Sequence, residues 1–404
     1  MNNILNKKFI YFFLIYLSIL YLISVFQLHF KHTGGNDSTI SEWLINFQGG
    51  FTKRGIIGEI CFLIAKFFKT ELRFIIYIFQ ISILGIYYFL VFNFFKKFKI
   101  NFLILLSIFS PIFLLYSVAE LEVLGRKEIF IFIGYILFLN LASENFKNKE
   151  DLLFIIFVLP ILSLIWEPVI FFTPFFICIL IFKYKILNVR QFFKILKYFF
   201  PFLLISIFIA ANPISDENHK IMVESLMNNF GETCYMSCGL LLSKSTIKDQ
   251  FTANFPLYSF EIIIRYTLIV LIGFGPIFFL SKFSQIKKKY FFINNFKNLL
   301  IPIVLLISPL ILLFAMGSDW GRWVNITYTF SVLFYFYLLK NKLIDLDYKK
   351  SKKLFFNLSK PFLVVFFIIF SFGWNPKTSL VGDVASLPGY RVPYNFIKLI
   401  ITQY

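Results

Sequence analysis

The segment that organises this sequence runs from Gly34 to Glu59 and reads GGNDSTISEWLINFQGGFTKRGIIGE. It is the first long polar interruption in a chain in which apolar runs alternate with short lysine-rich connectors. Carboxylates, a tryptophan, a Gly-Gly pair and a Lys-Arg pair lie close together in it, a combination typical of a ligand-binding loop. We therefore predict a functional loop, and the apolar sequence around it indicates where it lies.

The composition indicates a helical membrane protein. The chain has 404 residues, of which 59% are hydrophobic, and its mean hydropathy is +0.78. A soluble domain of this length could not bury so much apolar surface, whereas a polytopic protein exposes it to lipid. Lys7 and Lys8 precede an apolar run that continues to about Phe30. This run is too long for the core of a signal peptide, so we predict a retained first span.

Apolar segments approaching the length of a membrane span recur along the chain. A transmembrane helix needs about 20 apolar residues, and eleven segments come near this length: 9–29, 74–95, 101–117, 128–143, 152–166, 168–183, 196–212, 261–281, 298–316, 323–339 and 360–374. We predict an all-α integral membrane protein with about eleven transmembrane helices in one polytopic domain, residues 1–404. Prolines near Glu167 favour a break between the fifth and sixth segments. The segment from Gly55 to Phe68 is too short to span, and we predict an interfacial or re-entrant helix.

The distribution of charge predicts the orientation of these spans. With the N-terminus in the cytoplasm, the inner connectors contain 24 of the 40 Lys and Arg residues but only five of the 21 Asp and Glu residues, in agreement with the positive-inside rule. The inner face then carries the whole net charge of +19, and the outer segments are neutral overall. Anionic lipid of the inner leaflet is therefore a sufficient partner, and no nucleic acid is required.

Most of the polar sequence is predicted to lie on the outer face. It comprises loops at about 30–73 and 213–259 and a C-terminal tail at 375–404. No Walker motif, dinucleotide fingerprint, metal-spaced Cys/His cluster or internal repeat occurs in the sequence,. These absences argue against ATP-driven transport and cytosolic nucleotide-sugar chemistry. We predict that any chemistry takes place at the outer face.

The first outer loop contains the strongest candidates for a catalytic site. Its Gly-Gly pair permits a tight turn or close approach of the backbone to a ligand. Lys53 and Arg54 supply two cations suited to a phosphate or pyrophosphate. Asp37 and Glu42 are candidate general bases, and Trp43 offers an aromatic surface. The alternative is a solvated loop with ordinary interfacial anchors.

Three shorter outer turns contain charged residues that a membrane protein rarely places there. Basic residues on the outer face oppose the positive-inside rule, and a carboxylate at the membrane edge is costly, so both suggest a function. The alternatives are a salt-bridged turn, a solvated carboxylate and tryptophans that anchor in the interface. The candidates are Arg126 and Lys127 in the turn 120–128, Glu167 after Trp166, and Asp319, Trp320 and Arg322 in the turn 317–323.

The cysteines and histidines define no metal site at the level of sequence. Cys234 and Cys238 lie in the second outer loop, where an oxidising compartment and their spacing are compatible with a disulfide. Cys61 and Cys178 are predicted to be inert core thiols. None of the three histidines, His219 included, shows a metal-binding spacing.

Two motifs suggest a family. SEWLINFQGGFTKRGIIGE and SDWGRW resemble the pattern of bacterial multispanning membrane proteins of surface-polysaccharide clusters, with Gly-Gly-Phe-x-[Lys/Arg]-Arg-Gly-[Leu/Ile] early and Asp-Trp-Gly-Arg-Trp late. The order of elements extends over most of the chain. The wider layout resembles the GT-C superfamily of glycosyltransferases, whose first outer loop holds interfacial helices and an essential acid. This chain departs from the superfamily in lacking a compact acidic pair in that loop and a soluble C-terminal domain.

The resemblance implies glycosyl transfer or polymerisation at the outer face of the bacterial cytoplasmic membrane, in the synthesis of a surface polysaccharide such as O antigen or capsule. The implied partners are the bilayer, a polyprenyl-phosphate- or polyprenyl-diphosphate-linked sugar, a glycan acceptor and polysaccharide-assembly proteins. The alternatives are a transporter or flippase of lipid-linked oligosaccharide and a non-enzymatic assembly protein.

Roles for individual residues follow from this scheme. The proton of the acceptor hydroxyl passes to a carboxylate, and cations stabilise the phosphate leaving group. The cofactor stays open. A divalent metal is one alternative, with Asp319 as a ligand, but the sequence shows no clear ligand cluster. The predicted catalytic residues are Glu42 first, then Asp37 and Asp319, and the predicted phosphate- or substrate-binding residues are Lys53, Arg54, Arg126, Lys127, Arg322, Glu167, Trp43 and Trp320.

Overall fold

The computed structural model describes residues 2–35, 37–143, 149–243, 247–287, 290–293, 296–355 and 357–380, together with Tyr394, Ile397, Lys398, Ile400 and Ile401. Helices account for 74% of the chain and strands for 2%, as expected for an all-α membrane protein. The α-helices in chain order are α1 (Asn2–Gly34), α2 (Ser38–Ser41), α3 (Gly55–Phe68), α4 (Leu72–Phe95), α5 (Phe102–Ile108), α6 (Tyr116–Ala119), α7 (Glu128–Ser143), α8 (Glu150–Leu153), α9 (Leu159–Ile165), α10 (Thr173–Tyr184), α11 (Val189–Leu196), α12 (Phe200–Ala211), α13 (Asp216–Phe230), α14 (Met236–Ser243), α15 (Ile247–Asn254), α16 (Phe260–Gly273), α17 (Gly275–Lys282), α18 (Leu300–Ile307), α19 (Leu310–Met316), α20 (Trp320–Lys340), α21 (Tyr348–Lys353) and α22 (Lys360–Phe372).

Several helices are long and apolar enough to cross a membrane. Within the described ranges there are four, or five if Lys248–Leu257 and Phe260–Gly273, which meet at 97°, form one broken span. Each of the eleven predicted segments contains helix, but many are short or interrupted, so their lengths do not confirm a count of about eleven. The four are Lys7–Gly34, Leu72–Phe95, Glu167–Tyr184 and Val189–Ala211.

The predicted break near Glu167 is confirmed. A π-helical turn (Phe154–Val158) leads into α9, which ends at Trp166, where the backbone is extended with φ −155° and ψ 95°. A 3₁₀ helix (Glu167–Phe172) then begins with Pro168 in its first turn, because proline cannot donate the hydrogen bond that a continuous helix needs,. At this break the Glu167 carboxylate pairs with Arg54.

The helix predicted at Gly55–Phe68 is present with the same bounds. Ile57, Cys61 and Phe62 face the protein core, whereas Leu63 and Phe67 are exposed. One buried and one exposed apolar face is the pattern of a helix that lies against protein on one side and lipid on the other. The start of α3 thereby holds the Lys-Arg pair at a fixed position.

The connectors predicted to be inner contact one another. A two-stranded antiparallel sheet joins β1 (Ser284–Ile286) to β2 (Ile344–Leu346). The sequence did not predict it, because strands of three residues carry too little periodicity. Side-chain bonds join further connectors: Asn101 to Ser351 (3.2 Å), Ser143 to Asn341 (3.1 Å) and Asp151 to Lys183 (2.8 Å).

The region predicted as an outer loop at about 213–259 is largely helical. It contains α13, α14 and α15, because its apolar residues recur at helical spacing between polar ones,. We call residues 216–243 the cap. The cap is fastened to the first loop by an ion pair between Arg73 and Glu232 (3.0 Å) and by the amide of Ser237, which donates to Ser41 Oγ (3.1 Å). The disulfide that the cysteine spacing allowed joins Cys234 to Cys238 within the cap.

Close packing of α3 against the first loop yields a test of this fold. A Cβ added at Gly58 would lie 1.9 Å from the carbonyl oxygen of Ile45, a backbone atom that cannot move aside alone. We expect Gly58→Ala to lower the free energy of unfolding by about 1–3 kcal/mol, as overpacking typically does. Thermal unfolding in detergent measures the effect. Gly275→Ala is the control, because nothing lies within 4 Å of its added Cβ; equal stability of the two variants would contradict this packing.

Candidate functional site

The Glu42 carboxylate lies at the centre of a buried charge network. Its side chain is fully buried and has arginines on both oxygens. Arg54 Nη1 lies 3.2 Å from Oε1, Arg126 Nε lies 3.2 Å from Oε2, and Arg322 Nη2 lies 3.8 Å from Oε1. The first loop, the turn 120–128 and the turn 317–323 therefore meet at one residue.

Arg54 links Glu42 to the helix break at Glu167. Its guanidinium donates to both oxygens of Glu167, at 2.7 Å each, in the bidentate geometry that favours arginine over lysine,. Arg54 also has φ 65°, a left-handed conformation that is uncommon outside glycine,. Such backbone strain persists only where the surroundings enforce it, and it concentrates at functional sites.

Arg322 forms the third side of the network. It donates to both oxygens of Glu128, at 2.7 and 2.8 Å, and lies 3.4 Å from Asp319 Oδ2. The same Asp319 oxygen lies 3.9 Å from Arg126 Nη1. The ring of Trp323 stacks on the Arg322 guanidinium, with 5.1 Å between Cζ and the ring centroid,. Asp319 is a third exposed, whereas Glu42 and Glu128 are buried.

A cavity of about 280 Å³ opens beside this network. Six of the predicted site residues line it, drawn from four segments predicted to be outer, and part of the cap covers it. Five cations lie in or beside the cavity: Arg54, Arg126, Arg322, Lys53 and Lys127. The carboxylates of this group are Glu42, Glu128, Glu167 and Asp319, so its net charge is one positive charge before the exposed rim residue Glu122 is included. The predicted residues that line the cavity are Lys53, Arg54, Arg126, Glu167, Asp319 and Arg322.

Buried hydrogen bonds hold the first loop against the turn 120–128. The indole nitrogen of Trp43 donates to the carbonyl of Gly125 (2.9 Å), and the Lys127 ammonium donates to the carbonyl of Arg54 (2.6 Å). The Gln80 amide donates to Gly125 as well (3.1 Å). Trp43 and Lys127 thus fix the position of Arg54.

The Gly-Gly pair serves close packing against the cap. A Cβ at Gly49 would lie 1.9 Å from the carbonyl oxygen of Asn218 in α13, and Gly50 has φ 101°. Glu59 holds the turn from the other side, because its carboxylate accepts from the amide of Phe47 (2.8 Å) and from the side chain of Gln48 (2.6 Å). The glycines are therefore explained by the cap, and contact with a ligand is not needed to account for them.

Residues that follow α22 pack against the site. The Glu120 carboxylate accepts from Asn375 Nδ2 (3.1 Å) and from the hydroxyl of Thr378 (3.3 Å). A Cβ at Gly321 would lie 1.9 Å from the carbonyl oxygen of Lys377, which explains glycine in the Asp-Trp-Gly turn. Residues 375–380 of the predicted C-terminal tail are thus built into the site; residues 381–393 lie outside the described ranges.

Charge and burial set the protonation of the loop residues. Burial alone would raise the pKa of Glu42, but Arg126, Arg322 and Arg54 together hold it well below its usual value,. Burial lowers the pKa of Lys53 and lowers that of Lys127 to about 8. Glu42 is therefore an ionised counter-ion and a weak base.

Several predicted site residues lie away from the cavity. Asp37 pairs with Lys31 and caps α2 by accepting from the amide of Thr39 (2.9 Å). Trp320 donates to the carbonyl of Phe314 (2.7 Å) and is not among the residues lining the cavity. Glu42, Trp43 and Lys127 also lie behind the cavity wall. Through their contacts with Arg54, Arg126 and Gly125 they position the residues that line the cavity.

Two residues of the site are not among the predicted site residues. Glu128 is the last residue of the turn 120–128, and Trp323 is the second of the two tryptophans in the turn 317–323, for which both a membrane anchor and a sugar-stacking surface are expected. The sequence contains a signal for each of them. Glu128 is a carboxylate at the start of an apolar helix, and Trp323 follows Asp319 by four residues, the spacing of one helix face,. Trp323 lines the cavity directly, in the place expected for Trp320.

Comparison with known proteins identifies no relative: no family model, no curated protein and no solved structure matches this chain.

One cluster brings a histidine close to the two disulfide-bonded cysteines. Within the described residues, the Nε2 atom of His219 and the sulfurs of Cys234 and Cys238 all lie within 4.8 Å of one another. Sequence spacing could not reveal this, because His219 is on α13 and the cysteines flank the start of α14. The acidic residues of the cavity form no comparable metal-binding group in the described ranges.

The bidentate pair between Arg322 and Glu128 should dominate the stability of the site. Both side chains are almost fully buried, so Glu128→Gln leaves a buried arginine without its bidentate charge partner. We expect a loss of about 3–5 kcal/mol in the free energy of unfolding. Asp345→Asn, which removes the exposed partner of Lys287, should cost below about 1 kcal/mol,. Denaturant unfolding in detergent compares the two, and a similar small loss for both would refute the buried pairing.

The low pKa of Glu42 predicts how stability depends on pH. The folded pKa lies well below the ordinary value of 4.5, so the stabilisation by Glu42 is complete above the unfolded pKa and is lost as pH falls through the folded pKa,. Glu42→Gln should therefore be less stable at neutral pH and should lose less further stability on acidification. Unfolding curves at several pH values measure this. Glu224→Gln, at an exposed pair with Lys220, should retain the wild-type slope.

Proposed function

We propose that this protein is a membrane-embedded glycosyltransferase or polymerase that uses a sugar linked to polyprenyl phosphate or diphosphate. The observation that carries the proposal is the single cavity in which Lys53, Arg54, Arg126 and Arg322 lie beside the carboxylate of Asp319. The three loops that contribute these residues are separated by long apolar segments, so their convergence is a property of the fold.

The proposed topology has about eleven spans in a GT-C-like arrangement, with the N-terminus in the cytoplasm of a bacterium and the cavity at the outer face of its inner membrane. Two sets of contacts support it. The segments predicted to be inner contact one another, as in the β1–β2 sheet, and the segments predicted to be outer contact one another around Glu42. The excess of positive charge on the first set has the sign that an inner face requires.

The cations suit a phosphate group that gains charge as a bond breaks. Arg54 and Arg322 are held by bidentate carboxylates, so their positions are set before a ligand arrives. Preorganised donors of this kind stabilise developing charge without reorganisation. Arg126 and Lys53 on the cavity wall complete a surface for the phosphate oxygens.

Asp319 is the carboxylate best placed to act as a general base. It is partly exposed on the cavity wall, whereas Glu42 is buried behind the arginines and Asp37 is bound to Lys31. In the proposed step, the acceptor oxygen bonds to the anomeric carbon while the bond from that carbon to the phosphate oxygen breaks. Asp319 takes the hydroxyl proton, and the phosphate leaves with the electron pair.

The base is tested with purified protein and a polyprenyl-phosphate sugar as donor. We expect Asp319→Asn to slow transfer by about 10²–10⁴-fold while donor binding changes little, because the variant lacks a proton acceptor but keeps the cations. Product analysis measures transfer, and vesicle co-sedimentation measures binding. Loss of the gene should truncate the polysaccharide or leave a single repeat unit. Normal polymer in the deletion strain would refute the proposal, and intact binding without turnover in the wild type would favour transport.

The cationic wall is tested separately by binding. Lys53→Gln should weaken the affinity for polyprenyl phosphate by about tenfold, the loss expected for one charge-assisted contact. Lys66→Gln, a charge removal on α3 outside the cavity, is the matched control. Equal affinities of the two variants would place phosphate binding elsewhere.

A further inference from the structure

We propose that His219, Cys234 and Cys238 form a redox-dependent site for Zn²⁺ in the cap. In the oxidised protein the two sulfurs are bonded to each other and offer no thiolate. After reduction, one imidazole nitrogen and two thiolates face a common point, which is a ligand set that zinc prefers. The inference is independent of the proposed glycosyl transfer.

The geometry of the cluster is already close to that of a metal centre. His219 Nε2 lies 3.6 Å from Cys234 Sγ. Two ligands of one tetrahedral zinc, with Zn–N and Zn–S bonds of about 2.0–2.1 and 2.3 Å, are separated by about 3.6 Å. The two sulfurs need only separate to about 3.8 Å, as tetrahedral thiolates do. Three protein ligands leave a fourth position for water.

The chemistry balances with an external dithiol as reductant. The dithiol transfers two electrons and two protons to the Cys234–Cys238 bond, which gives two thiols and leaves the dithiol as a disulfide. Zinc then displaces the thiol protons, which are released to solvent. Cys238 is buried and Cys234 is partly exposed, so the reductant attacks at Cys234.

The location gives the site a structural consequence. Met236 and Ser237, between the two cysteines, line the cavity, and the Ser237 amide bonds to Ser41 in the first loop. His219 is on α13, so the metal would join α13 to the start of α14 across the cap. In the oxidised protein the disulfide constrains only the short segment between the cysteines.

The experiment uses the full-length protein in detergent, with Co²⁺ as a spectroscopic probe for Zn²⁺. The protein is reduced with dithiothreitol, desalted without oxygen and titrated. We expect about one Co²⁺ per chain, with thiolate-to-metal charge-transfer bands that Zn²⁺ abolishes. The oxidised protein should show none of these bands. His219→Ala should weaken binding by at least about tenfold, and the Cys61→Ser/Cys178→Ser double variant should bind as the wild type does.

Three results would overturn the proposal: no thiolate-bound Co²⁺ in the reduced wild type, equal binding by the oxidised protein, or unchanged binding in Cys234→Ser. Reoxidation of the reduced wild type supplies a measurement without any substitution. Loss of the bands on reoxidation and their return on reduction support the site even if a variant fails to fold.

Discussion

The structure depends on the burial of one carboxylate among three arginines. Glu42 has no contact with solvent, and moving such a charge out of water is costly unless it is paired with good geometry,. Arg54, Arg126 and Arg322 supply that pairing, and Arg54 and Arg322 are themselves held by Glu167 and Glu128. The pairs join the first loop, the turn 120–128, the break at Glu167 and the turn 317–323, so four segments from distant parts of the chain are fixed together.

Much of the fold could be predicted because membrane spans and short amphipathic helices follow from local composition. The bounds of α3 and α7 and the break before Glu167 follow from apolar length and proline. What could not be predicted depended on tertiary contacts. The packing of α13 on the first loop is one example, and Gly49 marks that packing. Interruptions such as that at Pro111 shorten helices that composition alone presents as continuous spans,.

For the candidate site, too, the identity of many residues could be predicted from the sequence, whereas their arrangement could not. Charged residues on a predicted outer face were a sufficient signal for Arg54, Arg126, Arg322 and Glu167, because such placements are costly in a membrane protein. Which of them face a cavity could not be predicted, since orientation depends on partners far away in sequence. Glu42 was the first choice as a base for its place in the loop, yet the arginines around it make it a counter-ion. Trp323, one turn from the expected Trp320, occupies the cavity wall.

The pairing of Glu128 with Arg322 also constrains how the protein is made. The two residues are 194 positions apart, so α7 is synthesised long before its charge partner exists. Until α20 has been synthesised, Glu128 lacks the arginine that neutralises it in the finished fold, so this pairing forms only after most of the chain has been made.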